Sequence, residues 1–150
     1  MITNELIDIY TLRQVGEVSE REVVECGELR LTNDDRVLPI ARLPKTALKH
    51  DVDSAIKEFA GTMSLALPGS AEVALIAVFA RCQQIRDGAI SPVAGARSLA
   101  AIGRRFAEVR EPVAVFLGIL DDYDEGLLSD GDMGTHVVNH ADLILARSSQ

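Results

Sequence analysis

A chain of 150 residues, 47% hydrophobic and 25% charged, is long enough to bury a continuous core and has the composition of a globular domain. Its formal charge of −8 argues against nucleic acid as the main ligand, because no phosphate-neutralising surface dominates. Aromatic residues are only 4% and there is no Trp, so the core must come from Ala, Val, Leu and Ile, which suits helix packing better than a β-sandwich.

Thr3 is placed to cap a first helix reaching about Gln14, with Leu6, Ile7, Tyr10 and Leu12 on its apolar side and Gly16 ending it. Ser19-Glu20-Arg21-Glu22 has the spacing of a capping box and opens a second helix carrying Val23, Val24, Cys26 and Leu29. Residues 32–45 form the irregular connection. Asn33-Asp34-Asp35 reads as a turn, Pro39 and Pro44 as breakers, and 37–43 as an extended segment, with a linker between two modules as the alternative.

From Thr46 a third helix runs to about Met63, with Val52, Ile56, Phe59 and Met63 at spacings of three and four. Leu67-Pro68-Gly69 breaks the chain and Ser70 is placed to cap the next helix. That helix is apolar nearly all round from Ala71 to Phe79, so it is expected at the centre of the core with Leu75 and Phe79 buried. Asp87-Gly88 stops it, and Ser91-Pro92 starts another that reaches about Glu108. Small residues Gly95, Ala96, Ala100 and Gly103 predict a close antiparallel hairpin centred on Asp87 to Pro92, with Arg97, Arg104 and Arg105 outward.

Residues 112–120 fit a short buried helix or a strand, and Pro112 after Glu111 favours the helix. An acidic loop follows, and Thr135 is placed to cap a last helix carrying Val137, Val138, Leu143, Ile144 and Leu145. The expected fold is therefore an all-α, single-domain compact bundle of six to seven helices spanning 1–150, without an internal repeat.

Charge is unevenly spread, since residues 111–150 set Arg147 alone against eight carboxylates. Asp121, Asp122, Asp124, Glu125, Asp130 and Asp132 read as a solvated surface for a protein partner with a basic face, where charge steers association. A calcium loop starting at Asp121 is the alternative, with Glu125 and Gly126 in place. Tyr123 and Asp132 stand where the third and twelfth ligands belong, which speaks against it. His136 and His140, one turn apart, have a zinc-chelating spacing, but no Glu follows the first. Both are expected on the solvent side of the last helix, and His50 near a helix start. The chain has no GxGxxG, Walker loop or GxSxG motif, so no cofactor is expected, and enzyme activity stands as the alternative to an interaction role.

Cys26 and Cys82 lie in apolar helical stretches without CxxC spacing and read as free thiols. The first residues lack a basic n-region and an apolar h-region, and the longest apolar run is too short to span a bilayer. The expected setting is the cytoplasm, away from membranes.

The run Ile85-Arg86-Asp87-Gly88-Ala89-Ile90-Ser91-Pro92-Val93-Ala94-Gly95-Ala96-Arg97, followed by Phe116-Leu117-Gly118-Ile119 and then acids, resembles a group of small bacterial helical proteins without assigned function. Their shared pattern is an apolar helix, a Gly-x-Ile-x-Pro-x-x-Gly-Ala turn, a second helix and an apolar segment leading into an acidic loop. The resemblance covers about the last half of the chain. In size, acidity and helical content the protein is also similar in type to toxin-neutralising immunity proteins, which mask a basic toxin surface. Three functions follow as expectations: an acidic interaction module, of which an immunity-type protein is one form; a small metal-dependent or carboxylate enzyme using Asp121, Asp122, Asp124, His136 and His140; and a structural or regulatory homo-oligomer.

Overall fold

The computed structural model describes the backbone of residues 2–31 and 35–149, with side chains described for residues 7–29, 36–69 and 72–149. The described residues hold eight α-helices and no strand: α1 (Ile2–Gln14), α2 (Glu20–Leu31), α3 (Leu38–Ala41), α4 (Lys49–Thr62), α5 (Ser70–Arg86), α6 (Pro92–Arg105), α7 (Arg110–Asp124) and α8 (Asp130–Ser148). The all-α expectation holds. Packing resolves two compact units, Met1–Val73 and Ala74–Gln150, with the division inside α5 rather than in the irregular connection.

In the first unit, Leu12, Val23, Val24, Val37, Ile40, Val52, Ile56 and Phe59 form a dry core. The capping box at Ser19 is present: the Ser19 N–H donates to Glu22 Oε2 at 2.7 Å, and the Glu22 N–H donates to Ser19 Oγ at 3.3 Å. Two expectations need correction. Most of residues 37–43 is helical rather than extended, because a 3-10 turn over Asp35–Val37 leads into α3, where Pro39 falls in the first turn and needs no N–H, and only Arg42 and Leu43 follow as a turn and a bend. Thr3 lies inside α1, which starts at Ile2, and its side chain is outside those described. The turn at 33–35 lies largely outside the described residues.

The second unit is built from α5 to α8. Arg81 Nε donates to Ser98 Oγ at 2.8 Å, and Gly95 sits directly against Ile85. Those pairings run in opposite directions along the chain, so α5 and α6 are antiparallel around Asp87 to Pro92, as expected. On the other side of α6, Gly103 leaves no room for a Cβ beside Val113 of α7. Phe116, Leu99, Ile102, Val113 and Val137 are wholly buried, with Met133, Ala141 and Ile144 completing the core from α8. Residues 112–120 are helical, and α6 ends at Arg105, before a 3-10 turn over Ala107–Val109.

The central, fully buried position expected for α5 is not what forms. Its buried residues are Val73, Ala74, Ala77, Val78, Ala80, Cys82 and Ile85, which make one face, while Leu75 is 46% exposed and Phe79 half-buried. An apolar helix with small residues on one side packs that side closely and leaves its larger side chains out. The side chain of Ser70 is outside those described.

The structure also holds a repeat that the sequence reading did not find. Gly16, Gly88 and Gly126 have φ of 82°, 71° and 78°, a left-handed backbone that glycine adopts without a Cβ clash. Each closes its helix with the same two bonds, for example Gly126 N–H to the Tyr123 carbonyl at 3.0 Å and Leu127 N–H to the Asp122 carbonyl at 2.8 Å. Three residues after each glycine stands the next helix's capping serine: Ser19, Ser91 and Ser129. The repeat is confined to this connection, which joins α1 to α2, α5 to α6 and α7 to α8.

Cys26 and Cys82 form no disulfide with each other, in line with the reading of the sequence. Burial pushes the Cys82 thiol from 9.0 up to about 12. Between those values the folded state keeps a proton that the unfolded state has lost, so stability is full below pH 9 and falls as pH rises toward 12. Urea unfolding at pH 11 should show wild type weakened by about 2–3 kcal/mol relative to pH 8, with Cys82→Ala escaping most of that loss. An equal loss in both proteins would show that Cys82 is not the group concerned.

Candidate functional site: the acidic corner between α7 and α8

The expected acidic loop is mostly helix. Asp121, Asp122 and Asp124 fill the last turn of α7, while Asp130 and Asp132 fill the first turn of α8. Only 125–129 connect them, with Gly126 turning the chain. Thr135 does not cap α8; Ser129 does, its Oγ accepting the Asp132 N–H at 3.1 Å, and Thr135 Oγ1 donates inside the helix to the Gly131 carbonyl at 3.0 Å. Gly131 and Gly134 made this stretch look like loop, but the two carboxylates favour a helix start and Gly134 lies beside Pro92 of α6. Held in two helices, these residues do not form a calcium-binding loop.

The carboxylates divide by role. Arg97 Nη2 donates to Asp124 Oδ1 at 2.8 Å and Nη1 to Asp124 Oδ2 at 3.4 Å, a two-pronged pair tying the corner to α6. The hydrogen bond with Asp124, and then its charge, raise the Arg97 pKa. The Tyr123 hydroxyl donates to Asp130 Oδ1 at 2.7 Å, and this bond followed by the Asp130 charge raises the Tyr123 pKa. Part of the expected partner surface is thus committed to holding the corner together. All six carboxylates are exposed, Asp121, Asp122, Glu125 and Asp132 without a side-chain partner among the described hydrogen bonds, and Leu127 stands 69% exposed among them.

His136 is exposed, but His140 is not on the solvent side as expected. It is half-buried with its ring edge-on to Phe116, centroids 6.5 Å apart. The described residues contain no group of three or more His, Cys, Asp or Glu arranged to hold a metal ion. His50 is exposed in the first turn of α4, as read from the sequence. No helix among the described residues is long and apolar enough to cross a membrane. The chain matches no family model, no curated protein and no solved structure.

Sequence reasoning missed Leu127, an exposed apolar residue within the acidic run. It also missed that Asp124 has its own arginine. The first has a visible signal, an apolar residue directly after a left-handed glycine. The second has none, because Arg97 lies on a different helix.

Proposed function

We propose that this protein is a protein-binding module that takes a basic partner surface on the acidic corner between α7 and α8, in the manner of an immunity-type protein. One observation carries the reading. Asp121 and Asp122 occupy the negative end of the α7 dipole, the last turn of that helix has no basic residue, and only their neighbour Asp124 has an arginine from another helix. A sequence selected for stability alone would place Lys or Arg there. Carboxylates kept where the fold disfavours them mark a surface retained for another purpose. The exposed acids at the start of α8 extend the same field, and two cysteines that form no disulfide suit a cytoplasmic setting.

The test is the double substitution Asp121→Asn and Asp122→Asn, which spares the Arg97–Asp124 pair. Removing two charges from the wrong end of the dipole should raise the melting temperature slightly. The same protein, used as bait in a lysate of its host, should lose the partner that wild type retains at low salt. With that partner purified, the variant should associate more slowly and with a flatter salt dependence. Unaltered capture and on-rate would refute the reading, and a lowered melting temperature would show the carboxylates to be structural.

A further inference from the structure

The acidic corner has its complement on the same unit. At the other end of α7 and α8, two adjoining grooves of about 160 and 370 Å³ share Pro112, Ile144 and Arg147 as walls. The smaller is floored by Leu75, Val78 and Phe79, and Leu143 of the larger is 53% exposed. Leu75 and Leu143 are thus two exposed leucines flanking one apolar surface. Arg147 is exposed at its edge and makes no ion pair among the described residues, while Glu111 lines the larger groove beside it. Arg104, Arg105 and Arg110 stand exposed at the same end of the unit, against Glu108 and Glu111. About 18 Å of α7 separates Pro112 from the acidic turn, at 1.5 Å per residue.

We infer that the occupant of this groove is Leu127 of a second copy of the chain, carried in by its acidic corner. The inference rests on the reading of that corner as a docking surface and names its partner. Leu127 projects from a tight turn beyond the ends of two helices, so it can enter a groove that the side of a helix could not. A groove of about 160 Å³ has the size for one leucine side chain. Asp121, Asp122 and Glu125 around Leu127 then come to the arginine-bearing edge, and an exposed apolar residue on each side leaves water. Because donor and acceptor surfaces are different patches of one unit, every copy offers both, and the contact is heterologous wherever it does not close on itself.

The experiment is the solution mass of the full chain across a concentration series, at low and high salt. The expected mass rises from 16.2 kDa toward at least twice that value, and added salt suppresses the rise. Leu127→Ser and Arg147→Glu, both at exposed positions and checked by unchanged circular dichroism, should each abolish the rise. An equimolar mixture of the two should regain a dimer, because one variant keeps the groove and the other keeps the corner. Constant monomer mass overturns the inference; so does a rise that survives either substitution, or a mixture that stays monomeric. If the chain stays monomeric yet a basic host protein is captured through Asp121 and Asp122, self-docking is wrong and the acidic-corner reading stands. If neither occurs, both fail.

Discussion

Phe116→Ala should cost about 3–5 kcal/mol, a large share of the stability of an ordinary small domain. Phe116 is wholly buried at the middle of α7, facing the second unit's core of Leu99, Ile102, Val113 and Val137, with the His140 ring edge-on beside it. Close packing from Gly95 and Gly103 leaves the backbones of α5, α6 and α7 little freedom to collapse into the space. The cost should therefore fall in the upper part of the range, since a cavity that cannot relax forfeits both transfer energy and contacts. Leu75→Ala serves as the contrast. At 46% exposed, Leu75 should cost under about 1 kcal/mol, although its sequence neighbourhood is the most apolar in the chain. Urea denaturation of both variants checks the pair, and similar losses would mean that the burial assignment is wrong.

That contrast shows what the sequence carried and what it did not. Helix ends written in local chemistry were legible: the Ser19 capping box and the Gly88, Ser91, Pro92 punctuation form as read. Errors arose where one residue type serves two purposes. Pro39 reads as a breaker but is harmless in a first turn, and Thr135 has the chemistry of a cap but lies after Ser129 has already supplied one. Leu75 failed for another reason. When a helix is apolar all round, periodicity cannot say which face is covered, and here the small residues decided it. Of the candidate site, the carboxylates were legible as a charged run. Their division into Asp124 and Asp130, which are paired, and Asp121 and Asp122, which are not, depends on Arg97 and Tyr123. No spacing rule reaches from Arg97 to Asp124.

Arg13 is the extreme case of a residue whose role only the fold reveals, and its removal should be among the most damaging single changes in the first unit. Its side chain is 4% exposed and joins three elements. Nη1 meets Glu20 Oε1 at 3.2 Å at the start of α2, and Nη2 meets Asp53 Oδ1 at 3.3 Å in α4. The same Nη2 donates to the Lys49 carbonyl at 3.1 Å. Arg13→Ala would leave the Glu20 and Asp53 carboxylates without their cation, and breaking such a buried group costs about 3–5 kcal/mol. The lower part of the range applies, because Glu20 and Asp53 side chains retain 36% and 25% exposure and can draw in water. The intact network is nevertheless incomplete: Arg13 Nε and Asp53 Oδ1 are buried without a hydrogen-bond partner. An unsatisfied ionic group adds less than its removal takes away, so the double change Arg13→Met with Asp53→Leu should lose far less than Arg13→Ala alone. Urea unfolding of wild type, Arg13→Ala and the double variant decides it. If the double variant loses as much as Arg13→Ala, the guanidinium fork contributes net stability by uniting α1, α2 and α4. If it recovers most of the loss, the damage in Arg13→Ala comes from the carboxylates left behind.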